Sequence, residues 1–167
     1  DPATWQPPLG WREDDEAKLY QFSPHTSYFQ TMGHYDLPRF REGGLTAQAM
    51  AIFIEGSNLD RALHRGLEMV YWLNREYEDN PDFAPVTRAT DIRRLKQEGK
   101  IGGILAFEGF EPIGTDLKLL DVFYALGLRM ATLTHSRRNF WADGTQTGIK
   151  TTGLTEPGRQ AVRRMNA

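Results

Sequence analysis

Short runs of almost wholly apolar residues alternate along this chain with longer stretches in which apolar residues recur at helical spacing. The first run, Leu45–Ile54, is apolar at nearly every position and is bounded by Gly43-Gly44 and Gly56. A continuous apolar run of this length is typical of a strand buried on both faces, because a strand with one solvent face alternates apolar and polar residues. We therefore predict a buried strand here.

A long amphipathic helix is predicted after this strand, from Asn58 to about Tyr77. Its apolar residues recur three or four positions apart, at Leu59, Leu63, Leu67, Val70 and Leu73. That spacing places them on one helical face, which we expect to be buried. Ser57 or Asn58 is the predicted N-cap, because either side chain can accept a hydrogen bond from an amide of the first turn.

The same alternation continues to the end of the chain. The predicted elements are a helix opened by Thr90 and Asp91 and stopped at Gly99, a buried strand Ile101–Phe107, a helix Asp116–Leu126, a strand Met130–Leu133 and a helix starting at Thr155 or Glu156. In the helix at 116–126 we expect four side chains to point inward, those of Leu117, Leu120, Phe123 and Tyr124. Gly127 is predicted at the C′ position, directly after the helix. Strands that alternate with helices pair in parallel through right-handed crossovers, which predicts an α/β fold.

Composition narrows the class of protein. Of the 167 residues, 40% are hydrophobic and 25% are charged, with a formal net charge of −2. These values are ordinary for a globular domain, and we expect no nucleic-acid partner. The chain has no cysteine, which excludes a thiolate metal site and suits the cytoplasm, our predicted location. No apolar run approaches the roughly 18 residues of a membrane span, and Asp1–Gly10 does not resemble a signal peptide.

The first 32 residues differ from the rest. They are rich in proline and aromatic residues, so we predict an irregular N-terminal segment over 1–32 and a partial (β/α) barrel domain over 33–167. The chain begins with Asp1-Pro2 and stops at Ala167, inside a predicted helix. We expect both ends to be cuts through a longer protein.

Two predicted strands end in an ionisable residue. Ile101–Phe107 leads into Glu108, and the strand at 130–133 leads to His135. In parallel α/β folds the carboxyl ends of the strands form the active-site face, so a carboxylate and an imidazole would share one mouth. The alternative is that Glu108 pairs with an arginine such as Arg129 and that His135 forms a hydrogen bond within a loop.

Three stretches, in the same order, resemble the membrane (renal) dipeptidase family. They are DLPRFREGGLTAQAMAIFI at 36–54, KIGGILAFEGFEPIGTDLKLLDVFYALGLRMATLTHSRRNFWADG at 100–144 and GLTEPGRQAVRRMN at 153–166. The central stretch contains the family's strand ending in Glu-Gly, a helix resembling its L-x-x-L-G-x-R and its T-L-T-H strand. The last stretch resembles G-L-[ST]-x-x-G-x-x-[VI]-V-x-x-M-N, with Ala161 at the [VI] position. The resemblance covers about residues 33–167.

The resemblance implies a (β/α)8 TIM barrel, of which this chain looks like the N-terminal half. It implies a zinc-dependent dipeptidase in which a metal-bridging hydroxide attacks the peptide bond of a dipeptide. Glu108 maps to the glutamate that bridges two zinc ions, and His135 maps to the substrate-binding histidine. Asn139, Trp141 and Asp143 would lie near the mouth. Further ligands would come from an N-terminal His-x-Asp and from strands beyond Ala167, so we expect self-association or association with a missing half.

Other polar residues are weaker candidates for metal or substrate binding. Gly33-His34-Tyr35-Asp36-Leu37-Pro38 reads like the family's Gly-His-x-Asp-Leu-Pro metal motif, but no apolar strand leads into it. The family carries a similar non-ligand segment at this place, so we favour a look-alike and leave open that His34 and Asp36 bind metal. His25 and His64 are interpreted as structural. The Arg93-Arg94 and Arg137-Arg138 pairs are expected to be solvated, although the second pair flanks the mouth and could meet a substrate carboxylate.

Two rival functions remain open. The chain could belong to a barrel that has lost its ligands and serves as a binding or scaffold protein. It could also belong to a related hydrolase that acts on a cyclic amide or lactam. The presence or absence of the missing ligands in the full-length protein discriminates the scaffold protein from the dipeptidase. A substrate panel discriminates the related hydrolase from the dipeptidase.

Overall fold

The computed structural model describes residues 36–146 and 152–166. The chain divides into two compact units, Asp1–Leu45 and Thr46–Ala167. The described part of the first unit contains helix α1 (Leu37–Glu42), which is capped at its N-terminus by Asp36. The irregular segment predicted for 1–32 lies outside the described residues, and the predicted boundary at residue 33 stays a prediction.

The second unit is built on a parallel sheet of four strands, β1 (Ala47–Ile52), β2 (Phe83–Pro85), β3 (Ile101–Glu108) and β4 (Met130–Thr132). On one side β3 pairs with β1, from Ala47 opposite Gly102 to Ile52 opposite Phe107. On the other side its first residues pair with β2 and its last with β4. All three pairings are parallel, which confirms the predicted α/β class.

Three helices connect successive strands, α2 (Ala62–Asp79), α3 (Ala89–Gln97) and α4 (Lys118–Ala125), and a further helix, α5 (Glu156–Met165), follows β4. Short 3₁₀ helices lie at Gly56–Arg61 and Glu111–Ile113. Helix α5 starts at Glu156, one of the two predicted starts, and Thr155 caps it, because the Thr155 hydroxyl accepts a hydrogen bond from the Gly158 amide at 3.0 Å. Gly99 and Gly127 follow α3 and α4 with φ of 70° and 110°, which fits their predicted C′ positions.

Some predicted boundaries are wrong. Residues 56–61 form a 3₁₀ helix, so Asn58 lies inside it and α2 begins four residues later than predicted. Helix α3 is capped at Arg88, and Asp91 sits in its first turn, where its carboxylate accepts the Thr87 and Arg88 amides at 2.9 Å. The sequence analysis missed β2, because three residues ending in proline carry no periodic signal.

The core lies between the sheet and its helices, and β3 is its centre. The largest wholly buried side chains include Phe107, Phe110, Phe123 and Trp141. Gly103 in β3 permits a close approach, because a Cβ there would collide with the Tyr77 hydroxyl and the Phe83 ring. The Tyr77 hydroxyl donates to the Gly103 carbonyl at 3.1 Å, which ties α2 to β3.

Three burial predictions are wrong. Five of the six residues of β1 are partly exposed, since within the described chain β1 pairs on one side alone. Of the predicted buried face of α2, Val70 is buried but Leu59, Leu63 and Leu67 are 39–45% exposed. The buried face of α2 is instead shifted around the helix to Ala62, Arg65, Gly66 and Val70. In α4, Leu120 and Phe123 are buried while Tyr124 is 60% exposed.

None of the described helices combines the length and apolarity that crossing a lipid bilayer requires.

Candidate active site

The two ionisable residues predicted to share a mouth lie side by side. Glu108 is the last residue of β3, and His135 follows the end of the neighbouring strand β4. His135 Nδ1 lies 3.1 Å from Glu108 Oε1, within hydrogen-bonding distance. Because β3 and β4 run in parallel, their carboxyl ends lie at the same edge of the sheet and bring the two side chains together.

Backbone pairing continues beyond the two strands and sets this separation. The Gly109 amide donates to the Thr132 carbonyl at 3.1 Å, and the Phe110 amide donates to the Leu133 carbonyl at 3.0 Å. Gly109 has a φ of 105°, a conformation that residues with a side chain rarely adopt. The chain therefore turns directly after Glu108 while staying attached to the segment that leads to His135.

The pair is accessible from solvent. The Glu108 side chain is 40% exposed and that of His135 is 54% exposed. The Phe53 ring, directly after β1, meets the His135 ring edge-on with centroids 5.4 Å apart. Residues that follow three parallel strands thus surround one accessible site, and Phe53 is a member that the sequence analysis missed.

A second ion pair lies beside the first. Arg137 Nε lies 3.2 Å from Glu111 Oε1, and the Glu111 side chain is 7% exposed. Arg137 Nη2 also donates to the Ile54 carbonyl, and its guanidinium lies 5.7 Å from the centroid of the Phe53 ring. The prediction that Arg137 is a solvated residue is therefore wrong, because its side chain is bound within the protein. Arg138 is half exposed and pairs with Asp143.

Asn139, Trp141 and Asp143 organise the loop after β4. The Asn139 amide nitrogen donates to the Leu133 carbonyl at 2.7 Å, and its oxygen accepts the Trp141 amide at 2.9 Å. Trp141 is buried, and its indole donates to the Gly114 carbonyl at 2.8 Å. Asp143 accepts the Gly153 amide at 2.8 Å, and hydrogen bonds from backbone amides and Arg138 lower its pKa against the opposing effect of desolvation.

The remaining sequence candidates lie elsewhere. The Asp36 carboxylate accepts the Arg39 amide at 2.7 Å as the N-cap of α1, whereas His34 and His25 lie outside the described residues. His64 is exposed on α2 and lies 2.8 Å from Glu68 Oε1, as expected for a structural residue. Arg129, the alternative partner of Glu108, donates to the carbonyls of Thr87, Tyr124 and Leu128.

The donor chemistry of the mouth suits zinc in part. Carboxylate oxygen and imidazole nitrogen are both common zinc ligands. Over residues 36–146 and 152–166, however, no three histidine, cysteine, aspartate or glutamate side chains cluster as a metal site. The chemistry of Glu108 suits one metal ligand, and the described residues place no further pair of such side chains beside it as a cluster.

Comparisons with known proteins agree with one another. Residues 4–167 match the sequence model of the membrane dipeptidase family, peptidase family M19. Dipeptidase tcpJ of Claviceps purpurea is 29% identical over 147 residues, which cover 80% of this chain and 34% of the relative. Dipeptidase 3 of Rattus norvegicus is 30% identical over 167 residues, covering 95% of this chain and 33% of the relative.

Solved structures show the same likeness. The dipeptidase AC metallopeptidase of family M19 matches with a TM-score of 0.77 and 27% identity, over 92% of this chain and 49% of that chain. A metallopeptidase from Rhodobacter sphaeroides, bound to a phosphinate mimic of the dipeptide L-Ala-D-Ala, matches with a TM-score of 0.74 and 25% identity, over 92% and 51%. The predicted partial barrel is confirmed, and the chain spans about half the length of these structures.

Proposed function

The chain belongs to the membrane dipeptidase family, and on that premise we propose that it contributes to a metal-dependent dipeptidase that hydrolyses the peptide bond of dipeptides. The observation that carries the proposal is the contact between Glu108 and His135 at the ends of two adjacent parallel strands. An accessible carboxylate and imidazole in this position suit a hydrolytic site on a barrel.

The two residues have different proposed roles. Glu108 would hold the metal through its carboxylate, which is a common zinc ligand. His135 is the substrate-binding residue. Its Nδ1 is turned towards Glu108, which leaves Nε2 as the imidazole nitrogen available to bond the carbonyl oxygen of a bound peptide. A hydrogen bond of this kind stabilises negative charge as it develops on that oxygen.

Zinc bound at Glu108 would supply a Lewis acid and would lower the pKa of water at the site. The protein contributes further by holding Glu108 and His135 in position. The Phe53 ring limits the movement of the His135 ring by packing against it edge-on. The backbone pairing at Gly109 and Phe110 keeps the end of β3 beside the segment that leads to His135.

We also propose that the sheet edges pair with further barrel strands, either from a longer form of the protein or from a second chain. Within the described residues β1 and β4 each pair with β3 alone, and Met130 in β4 is 51% exposed. Unpaired parallel edges with exposed apolar side chains favour association. The support from known structures is the match to about half of their length.

The test measures metal content and hydrolysis in the protein as its gene encodes it. We expect about two zinc ions per protein by mass spectrometry, and hydrolysis of at least one member of a panel that includes L-Ala-L-Ala and L-Ala-D-Ala. Glu108→Gln should lose metal and activity together. The matched control is Glu78→Gln, the same change at a side chain 62% exposed on α2, which should retain both.

Each outcome has a distinct meaning. Metal binding without hydrolysis of any dipeptide, but with hydrolysis of a cyclic amide, would favour the related hydrolase. Neither metal nor hydrolysis in the protein as its gene encodes it would overturn the proposal and favour a binding or scaffold role.

A further inference from the structure

We propose that Arg137 is a positioning residue, which holds the loop that carries His135 against the ends of β1 and β3 and so maintains the contact between His135 and Glu108. This inference rests on the proposed function where it concerns turnover. Its geometric part, that Arg137 restrains the His135 ring, stands on the contacts alone.

Arg137 reaches residues that follow two other strands. Its Nε lies 3.2 Å from Oε1 of Glu111, which comes three residues after Glu108 at the end of β3. Its Nη2 donates to the carbonyl of Ile54, which follows β1. Because Arg137 itself follows β4, one guanidinium connects the three strand ends that surround the site. A planar fork with several fixed donors is suited to such a link, and the single ammonium of lysine is not.

A second contact carries the restraint to the imidazole. The guanidinium lies 5.7 Å from the centroid of the Phe53 ring, and that ring packs edge-on against His135 at 5.4 Å. Arg137 is also two residues from His135 along the same loop. It therefore restrains the His135 ring both through the backbone and through the aromatic side chain that contacts it.

Glu111, whose carboxylate accepts the hydrogen bond from Arg137, is itself held in place. The Glu111 side chain is 7% exposed, and a charge buried to this extent requires a partner. The Glu111 carboxylate occupies the space that a side chain at Gly109 would fill, since a Cβ at Gly109 would collide with Glu111 Oε2. The turn that follows Glu108 is thus shaped around the carboxylate that Arg137 binds.

The competing role is that Arg137 binds the substrate carboxylate. Its side chain is 29% exposed, while its Nε and Nη2 are already engaged by Glu111 and Ile54. A residue with these contacts acts on the reaction through the groups it positions. The two roles differ in kinetics, because a lost substrate contact raises KM, whereas a misplaced His135 lowers kcat.

The experiment uses the protein as its gene encodes it, with metal, and three variants. Arg137→Met alone would leave a buried carboxylate without its partner and can fail to fold, so the variants are Arg137→Lys, Glu111→Gln and the double change Arg137→Met with Glu111→Gln. The double change removes both charges together. Glu111→Gln alone removes the charge of the acceptor but keeps an oxygen for Arg137 Nε, so it should lower kcat by less than the double change does.

We expect kcat to fall by about 10²-fold in Arg137→Lys and in the double variant, with KM changed by no more than about 3-fold, as for a misplacement on the order of 1 Å. A rise in KM at unchanged kcat would overturn the inference in favour of substrate binding.

A spectroscopic measurement separates this inference from the proposed function. The His135 ring signal of ¹⁵N-labelled histidine can be assigned by its loss in His135→Ala and recorded at one pH without metal. We expect one His135 environment in the wild type and several, or a broadened signal, in Arg137→Lys and in the double variant. Arg138→Lys, the same change one residue along the loop, should keep the single environment. If the wild type hydrolyses no dipeptide, the proposed function fails and these spectra alone decide; an unchanged His135 signal in both variants would overturn the positioning role.

Discussion

Nδ1 of His135 lies 3.1 Å from Oε1 of Glu108, although the two residues follow different strands. The contact joins the ends of β3 and β4 into one site. We propose separable roles for the two residues, with Glu108 as a metal ligand and His135 presenting its other nitrogen to a substrate.

The different proposed roles of Glu108 and His135 predict how His135→Ala behaves. We expect kcat to fall by about 10²–10³-fold, the usual effect of removing one donor that stabilises developing charge. Metal content should stay as in the wild type, because Glu108 is retained. Steady-state kinetics with mass spectrometry of bound metal checks both. His64→Ala, a histidine exposed on α2, is the control and should change neither quantity. Loss of metal in His135→Ala would make this residue a ligand.

Gly109→Ala should destabilise the fold more than a comparable glycine substitution. Its φ of 105° costs a residue with a side chain about 1–3 kcal/mol, and the added Cβ would displace Glu111 from Arg137. The control is Gly99→Ala, at φ 70° with open space around the added Cβ, which should cost about 1–2 kcal/mol. Urea unfolding followed by circular dichroism measures both. Equal losses would show that Glu111 adjusts without cost.

Tyr77→Phe tests the link between α2 and β3. Removing the hydroxyl that donates to the Gly103 carbonyl should lower the free energy of unfolding by about 1 kcal/mol at pH 7. Burial raises the pKa of Tyr77 well above its ordinary value, so the phenol stays neutral in the fold. The unfolded chain loses this proton above about pH 10, so the contribution is complete below that pH and declines as pH rises further.

The check is urea unfolding of both proteins between pH 7 and 10.5. The stability advantage of the wild type over Tyr77→Phe should be constant up to about pH 9.5 and should narrow above it. An advantage that grows with pH would contradict the assignment, since it would require an ionised Tyr77 in the folded state.

The ion pair between Asp121 and Arg164 should stabilise the contact of α4 with α5. Its two hydrogen bonds measure 2.8 and 2.7 Å, and they lower the pKa of Asp121. Asp121→Asn should therefore lower the melting temperature at pH 7. The contribution is present above about pH 4 and is lost as pH falls through the lowered pKa, so the difference should shrink as the pH is lowered below that range.

Calorimetry at low and high salt checks this pair, because exposed charges are screened by salt. Asp79→Asn is the control, since Asp79 pairs with Arg75 inside one helix and should matter less. If Asp121→Asn and Arg164→Met lower the melting temperature additively when combined, the two residues do not act as a pair.

Periodicity was sufficient to identify β3, α4, β4 and α5, whose apolar spacing and glycine or threonine ends are local features. It failed for the burial of Leu59, Leu63 and Leu67, because spacing shows which residues share a helical face and does not show which face meets the sheet. It also missed β2, which is a strand only through its pairing with Ile101–Gly103.

The site divides in the same way. Glu108 and His135 were identifiable because an ionisable residue after a buried strand breaks the apolar pattern at the place where parallel folds form their sites. Arg137 was assigned to solvent, since nothing along the chain indicates that it reaches Glu111 and the carbonyl of Ile54. Phe53 was seen as one more apolar residue of a strand.

From the sequence came most strands and helices, the parallel class and the two residues at the strand ends, which depend on local spacing and on residue chemistry. The family came from the resemblance of three stretches of the sequence to known motifs. Tertiary structure alone decided that His135 faces Glu108 and that Arg137 links three strand ends. These relations depend on the register of strands distant in sequence, where packing and hydrogen bonding across the sheet select one partner among many of the same chemical type.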